Sequence, residues 1–256
     1  MKRDPVYVVA NWKMKPGTIG EAKKLFLDVK KLAVRLSKTT LVICPPVAFL
    51  SELHKLYVGA KLAFGAQDIH REPKGSYTGE ISAEMVHSVG ASYTIIGHSE
   101  QRALGDTNSD VNKKIHVALK EKLTTIICIG ESRRDESGAY LTFLTQELHE
   151  AFKDVSKSAL KNVILAYEPI WAIGKTGKEA MLPSDVHETV LFLRKVLSEC
   201  YDKKTAFALP VLYGGSVEAE NAEALLREGG VNGFLVGHAS LVPTEFSTIL
   251  SIVEHA

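Results

Sequence analysis

Glu168 is the carboxylate of this sequence best placed for chemistry. It ends an apolar run, Val163–Tyr167, and Pro169 stops any strand ladder directly after it. Ile170, Trp171, Ala172 and Ile173, closed by Gly174, are too apolar for an ordinary solvated loop. Such a segment beside a carboxylate reads as a cover that keeps water from the acid, or equally as a loop packed over a buried, paired glutamate.

Other polar groups also stand where an apolar run stops. Val6–Ala10 runs into Asn11-Trp12-Lys13, and strand alternation puts the amide of Asn11 and the cation of Lys13 on one side. His98 sits where Tyr93–Gly97 gives way to a short polar helical turn, Ser99-Glu100-Gln101-Arg102. Free backbone N–H groups at such a turn favour the uncharged imidazole, a hydrogen-bond donor at neutral pH. The turns Gly214-Gly215-Ser216 and Gly237-His238-Ala239-Ser240 let backbone approach a ligand closely, and a helix expected after Ser216 offers N–H groups to an anion. Taken singly, each is as well read as a structural residue or a tight turn. Together they supply a base, a neutral donor, a cation and an anion site, a set suited to proton abstraction α to the carbonyl of a phosphorylated compound. No nucleophile stands beside a base, and no metal-binding or cofactor fingerprint is complete. His187-Glu188-Thr189-Val190-Leu191 has leucine where a zinc motif needs its second histidine, and Gly174-Lys175-Thr176 follows Pro169 where a phosphate loop needs glycine.

The elements that must position these groups form an eightfold alternation. Strand-like runs occupy Val6–Ala10, Thr40–Cys44, Lys61–Ala66, Tyr93–Gly97, Thr124–Ile129, Val163–Tyr167, Phe207–Tyr213 and Gly233–Val236. Continuous apolar runs suit strands buried on both faces of a parallel sheet. Helix-period stripes lie between them: Leu25, Val29, Leu32 and Leu36; Val186, Val190, Leu193 and Leu197; and Leu144, Leu148 and Phe152. Further helices are expected over Val47–Tyr57, Ile81–Val89, Asn108–Lys120, Val217–Arg227 and Thr244–Val253, with Ser184 and Thr244 as caps. The pattern predicts an α/β protein, a closed (β/α)8 barrel formed by residues 1–256 as one domain, with a doubly wound open sheet as the alternative. In such a barrel the carboxyl ends of the strands carry the chemistry, which is where Asn11, Lys13, His98 and Glu168 fall, and small residues after strands seven and eight form a phosphate site.

The 256 residues carry a net charge of +1, with 45% hydrophobic and 24% charged residues, so no bulk electrostatic attraction to nucleic acid or an anionic membrane is expected. No apolar run approaches the roughly 18 residues of a membrane span. Cys44, Cys128 and Cys200 are far apart and lack metal spacing, and Met1–Pro5 leads into strand-like sequence without a signal-peptide core. A cytoplasmic protein with reduced thiols is expected.

At Asn11-Trp12-Lys13-Met14, Thr78-Gly79-Glu80, Ile96–Glu100, Tyr167–Gly174, Tyr213–Val217 and Gly233–Gly237 the chain resembles the triosephosphate isomerase family, in one register over nearly its whole length. The resemblance implies a TIM barrel interconverting dihydroxyacetone phosphate and D-glyceraldehyde 3-phosphate, without metal or cofactor. That family is the type case of a glutamate base working with an uncharged histidine. It implies that Glu168 moves the proton, His98 polarises the carbonyls, Lys13 stabilises negative charge, Asn11 adds a polar contact and Glu100 supports them. Gly174, Ser216, Gly237 and His238 would offer backbone N–H groups to the phosphate. It also implies a homodimer, with Glu72–Glu80 reaching toward the partner. The chain departs from the family pattern at His238, where a second glycine is usual, in a longer stretch Lys175–Pro183, and at Lys15 and Gln101. Another phosphosugar-converting barrel, or a silent phosphometabolite-binding barrel, remains the alternative reading.

Overall fold

A computed structural model describes residues 5–175 and 180–256. Its strands are β1 (Val6–Asn11), β2 (Thr39–Cys44), β3 (Leu62–Ala66), β4 (Tyr93–Ile96), β5 (Thr124–Ile129), β6 (Val163–Tyr167), β7 (Val211–Tyr213) and β8 (Gly233–Val236). Each pairs in parallel with the next, and β1 closes on β8 through Tyr7↔Gly233 to Ala10↔Val236, giving a closed barrel rather than an open sheet. Alternation along each strand explains why the runs are apolar throughout. Val9, Val42, Ile95, Ile126, Ile164, Leu212 and Leu235 fill the barrel interior. Their neighbours Val8, Ala10, Leu41, Ile43, Ile127 and Leu165 pack outward under the helices. Burying each such side chain is worth roughly 1.5–3 kcal/mol, so both faces stabilise the closure.

Around the barrel lie α1 (Ile19–Ala33), α2 (Val47–Lys55), α3 (Ala83–Ser88), α4 (Ser99–Ala103), α5 (Asn108–Lys120), α6 (Ala139–Ala151), α7 (Pro183–Cys200), α8 (Lys203–Ala208), α9 (Ala219–Glu228) and α10 (Pro243–His255). The α7 stripe is buried as its spacing predicts. On α1 the buried line is Ala22, Phe26, Val29 and Ala33, while Leu25 and Leu32 flank it half-buried and Leu36 lies beyond the helix end. Two alanines bracketing Phe26 let that face approach the barrel more closely than a leucine stripe would.

Three local expectations are corrected. The apolar run Phe207–Tyr213 is strand only from Val211, because Asp202 caps α8 by accepting from the backbone N–H (2.9 Å) and hydroxyl (2.8 Å) of Thr205. Arg194 then ties down the end of α8 through the carbonyls of Ala206, Phe207 and Leu209, and Pro210 separates it from β7. Ser184 and Thr244 are not caps. Leu182 and Val242 hold those positions, with Pro183 and Pro243 as first helical residues, where a missing N–H costs nothing. Finally, α9 starts at Ala219 rather than Val217.

Long-range polar contacts lock the ring at the face opposite the strands' carboxyl ends. Near the end of α10, Glu254 accepts from the backbone N–H groups of Ser37 (2.7 Å), Lys38 (3.1 Å) and Thr39 (3.0 Å), clamping the start of β2. Among the described residues no helix is long and apolar enough to cross a membrane.

Candidate active site

The end of β1 supplies Asn11 and Lys13, but not by strand alternation. The strand stops at Asn11, and Lys13 takes a left-handed backbone (φ 53°). A lysine holds that conformation because its neighbours fix it. Its N–H donates to Asn11 Oδ1 (3.0 Å), and its carbonyl accepts from Gln67 Nε2 (2.8 Å), which also reaches Cys44 O (2.9 Å). Gln67 was missed from sequence, although its place just past the end of β3 is the same signal that marks His98. The Lys13 ammonium meets Glu100 at 2.7 Å. Both partners are substantially exposed, so the pair is worth at most about 1 kcal/mol and leaves the cation available to another anion.

His98 caps α4, and the first two N–H groups of that turn are divided between the two candidate reacting groups. Glu100 N–H donates to His98 Nδ1 (3.1 Å), and Ser99 N–H donates to Glu168 Oε2 (3.1 Å). Because Nδ1 accepts, the ring proton resides on Nε2 in the neutral tautomer. That nitrogen lies 3.3 Å from Glu168 Oε1. The turn thus fixes which nitrogen carries the proton and aims it at the carboxylate.

Glu168 lies just past β6 and is almost fully buried. Burial pushes its carboxyl above the ordinary carboxylate range, opposed by His98, the Ser99 N–H and the Lys13 charge. Burial likewise pushes the neighbouring Cys128 thiol well up, which keeps it neutral beside the acid. The backbone of Glu168 is gripped tightly: its N–H donates to Ile129 O (2.8 Å), and a Cβ on Gly130 would fall 1.7 Å from its carbonyl oxygen. Only glycine fits at 130, a requirement invisible without the β5–β6 pairing.

The apolar segment after Glu168 is a 3₁₀ turn over Ile170–Ala172. Ala172 is buried, Ile170 and Trp171 are half-buried, and Ile173 lines the cavity with Gly174. Trp171 Nε1 donates to the buried carboxylate of Glu131 (2.8 Å). The expectation of a lengthened exit over Lys175–Pro183 falls in part on residues 176–179, outside the described residues.

The two glycine turns also line the cavity, and a Cβ on Gly214 would fall 2.9 Å from Glu168 Cγ. The helix expected after Ser216 to offer N–H groups starts at Ala219, and the Ala219 N–H already donates to Glu245 Oε1 (2.6 Å). The whole stretch from Gly214 through Ser216 to Glu220 lines the cavity that Lys13 also lines. A Cβ on Gly237 would sit 3.4 Å from Lys13 Cε, so the turn lies against the lysine stem. His238 is exposed and takes no left-handed φ, so its backbone tolerates a side chain in place of glycine.

Asn11, Lys13, His98, Glu168, Gly174, Ser216, Gly237 and His238 all line one cavity of about 510 Å³ at the carboxyl ends of the strands. The arrangement sets a carboxylate of raised proton affinity against a neutral N–H donor, with a cation and small-residue turns alongside. It can remove a proton from a carbon while hydrogen-bonding the oxygen of an adjacent carbonyl.

Comparison with known proteins agrees with this geometry. The profile of the family described as triosephosphate isomerase matches residues 6–253. The triosephosphate isomerase of Thermoanaerobacter pseudethanolicus is 42% identical over 252 residues, 97% of this chain and 99% of the relative. Those of Alkaliphilus oremlandii (41%, 97% and 99%) and Moorella thermoacetica (38% over 251 residues, 97% and 98%) are similar throughout.

Proposed function

The chain belongs to the triosephosphate isomerase family, and on that premise we propose that it interconverts dihydroxyacetone phosphate and D-glyceraldehyde 3-phosphate with Glu168 as the base. Glu168 takes the proton from the carbon beside the carbonyl, and the C–H electron pair moves into a carbon–carbon double bond as the carbonyl π pair moves onto oxygen. His98 Nε2–H bonds that oxygen as its charge grows, and Lys13 offsets the negative charge of intermediate and phosphate. Asn11 orients the lysine backbone, while Gly174, Ser216, Gly237 and His238 receive the phosphate. The hydroxyl proton of the carbon that lost its hydrogen then passes to the first oxygen by way of His98 Nε2, and Glu168 returns its proton to the carbon that held the carbonyl. That carbon gains C–H and O–H, the other becomes C=O, and no metal or cofactor enters the step. Ile170–Gly174 excludes water from the intermediate.

The observation that carries this reading is the 3.3 Å approach of His98 Nε2 to Glu168 Oε1 inside a cavity that also holds Lys13. A coupled assay on glyceraldehyde 3-phosphate tests it. The wild type should turn over, and Glu168→Asp, which draws the carboxylate back by about one methylene, should lose on the order of 100-fold in rate. An unchanged rate in that variant removes Glu168 from the role of base. We further propose that residues 1–256 act as one catalytic domain, in the cytoplasm, as a homodimer joined through Glu72–Glu80.

A further inference from the structure

Arg134 lies between β5 and α6, outside the reacting centre, yet its guanidinium binds several structures that support that centre. Nε donates to Glu131 Oε1 (3.1 Å) and Nη2 to the hydroxyl of Tyr167 (3.2 Å), and Nη2 also bonds Thr189 Oγ1 on α7. The guanidinium carbon lies 4.8 Å from the Tyr140 ring centroid and 5.8 Å from that of Trp171. Glu131 Oε1 accepts in addition from Tyr167 (2.9 Å) and Trp171 Nε1 (2.8 Å), and the Tyr167 hydroxyl lies 3.7 Å from Met181 Sδ. Trp171 belongs to the start of the cover and Met181 lies beyond its far end. Tyr167 is the residue immediately before Glu168.

We infer that Arg134 is a positioning residue for the reaction, a cation that holds the cover and the Tyr167–Glu168 backbone in one arrangement. The physical reason is the burial of Glu131, only 2% exposed, whose Oε2 has no partner among the described residues. One of its oxygens gathers Tyr167 and Trp171, and a buried carboxylate is tolerated there only with an opposite charge against it. Arg134 supplies that charge in a planar fork, and the same fork spans to α7 and stacks between two rings. Without it, the anchor for Trp171 becomes an uncompensated buried charge, and the cover loses its fixed seat.

The kinetic part of this inference rests on the isomerase reading, so the test includes a spectroscopic part that does not. The chain has two tryptophans, of which Trp12 is fully buried and Trp171 is half-buried, so iodide quenching of emission reports on Trp171. Arg134→Met, Arg134→Lys and the double variant Glu131→Gln/Arg134→Met are compared with wild type. In Arg134→Met, kcat should fall about tenfold with KM nearly unchanged, the mark of a contact that matters at the transition state. Iodide quenching should increase. More turnovers should end in inorganic phosphate, because an uncovered enediolate expels it: the carbon–oxygen bond to phosphate breaks and its electron pair leaves with the phosphate. Arg134→Lys should lie between, keeping charge without the fork. The double variant removes both charges, so it should regain thermal stability without regaining phosphate retention.

Wild-type kcat, quenching and phosphate release in Arg134→Met would overturn the inference. So would full recovery of kcat and phosphate retention in the double variant alongside its stability, which would make Arg134 a stabilising residue and nothing more. If the wild type itself fails to isomerise, the isomerase reading falls. The quenching comparison then decides alone whether Arg134 seats Trp171.

Discussion

The buried Glu168 carboxylate, the base of the proposed reaction, is held between two opposing effects. Burial raises the proton affinity of Glu168, while His98, the Ser99 N–H and the Lys13 charge oppose that rise. The sign follows directly: as pH falls through the raised value, Glu168 gains a proton and activity is lost. The acid limb of kcat/KM for the free enzyme should therefore lie above the ordinary glutamate value of about 4.3. Ser99→Pro sharpens the test, because Ser99 is the first residue of α4, where proline fits, and the change deletes the N–H given to Glu168 Oε2. The limb should move further toward neutral pH in that variant. A limb left in place would mean that the Ser99 contact does not tune the base.

At the scale of elements, the clamp between α10 and β2 makes a stability prediction. Burial alone would raise the Glu254 carboxyl, but the donors from Ser37 and Thr39 outweigh it and hold it at about 2. A depressed value means that this stability is present above the unfolded value and is lost as pH falls from the ordinary carboxylate range toward 2. Glu254→Gln should cost roughly 2 kcal/mol at neutral pH and flatten the acid side of the Tm-against-pH curve. Parallel curves for variant and wild type would contradict the clamp. The strands themselves were legible because parallel pairing buries both faces, leaving continuous apolar runs such as Thr124–Ile129. Phe207 misled for the same reason: it is apolar, yet it sits half-exposed on a helix capped by Asp202. His98 and Glu168 could be found because strand ends mark the site. Glu131, two residues past β5, carries the same strand-end signal and was passed over, whereas Arg134 could not be found, since its bonds to a tyrosine and a threonine on other elements leave no trace in spacing. Lys13 lines the cavity through an αL turn held by Asn11 and not, as expected, through strand alternation.

At the scale of the molecule, the barrel's closure brings β1, β4 and β6 around one chamber, and its rim leaves other surfaces bare. Glu72–Glu80 is largely exposed, with Tyr77 packed on His70 at 4.3 Å between ring centroids and Met85 facing the same groove. Nearby in sequence, Asp68 pairs with the buried Lys114, which also meets Asp106, at 2.6 Å each. Light scattering at micromolar concentration should give twice the chain mass of 28.0 kDa, and a mass of one chain would contradict the dimer. The proposed reaction turns on a proton that leaves carbon, rests on Glu168 and returns. Isomerisation in D₂O followed by proton NMR reads this directly. A carboxylate exchanges its proton with solvent, so after many passes through equilibrium deuterium should accumulate on the carbon beside the carbonyl, and Glu168→Gln should abolish that incorporation. Interconversion with no deuterium entering either isomer would show the hydrogen passing between carbons without becoming a proton, and would contradict the account.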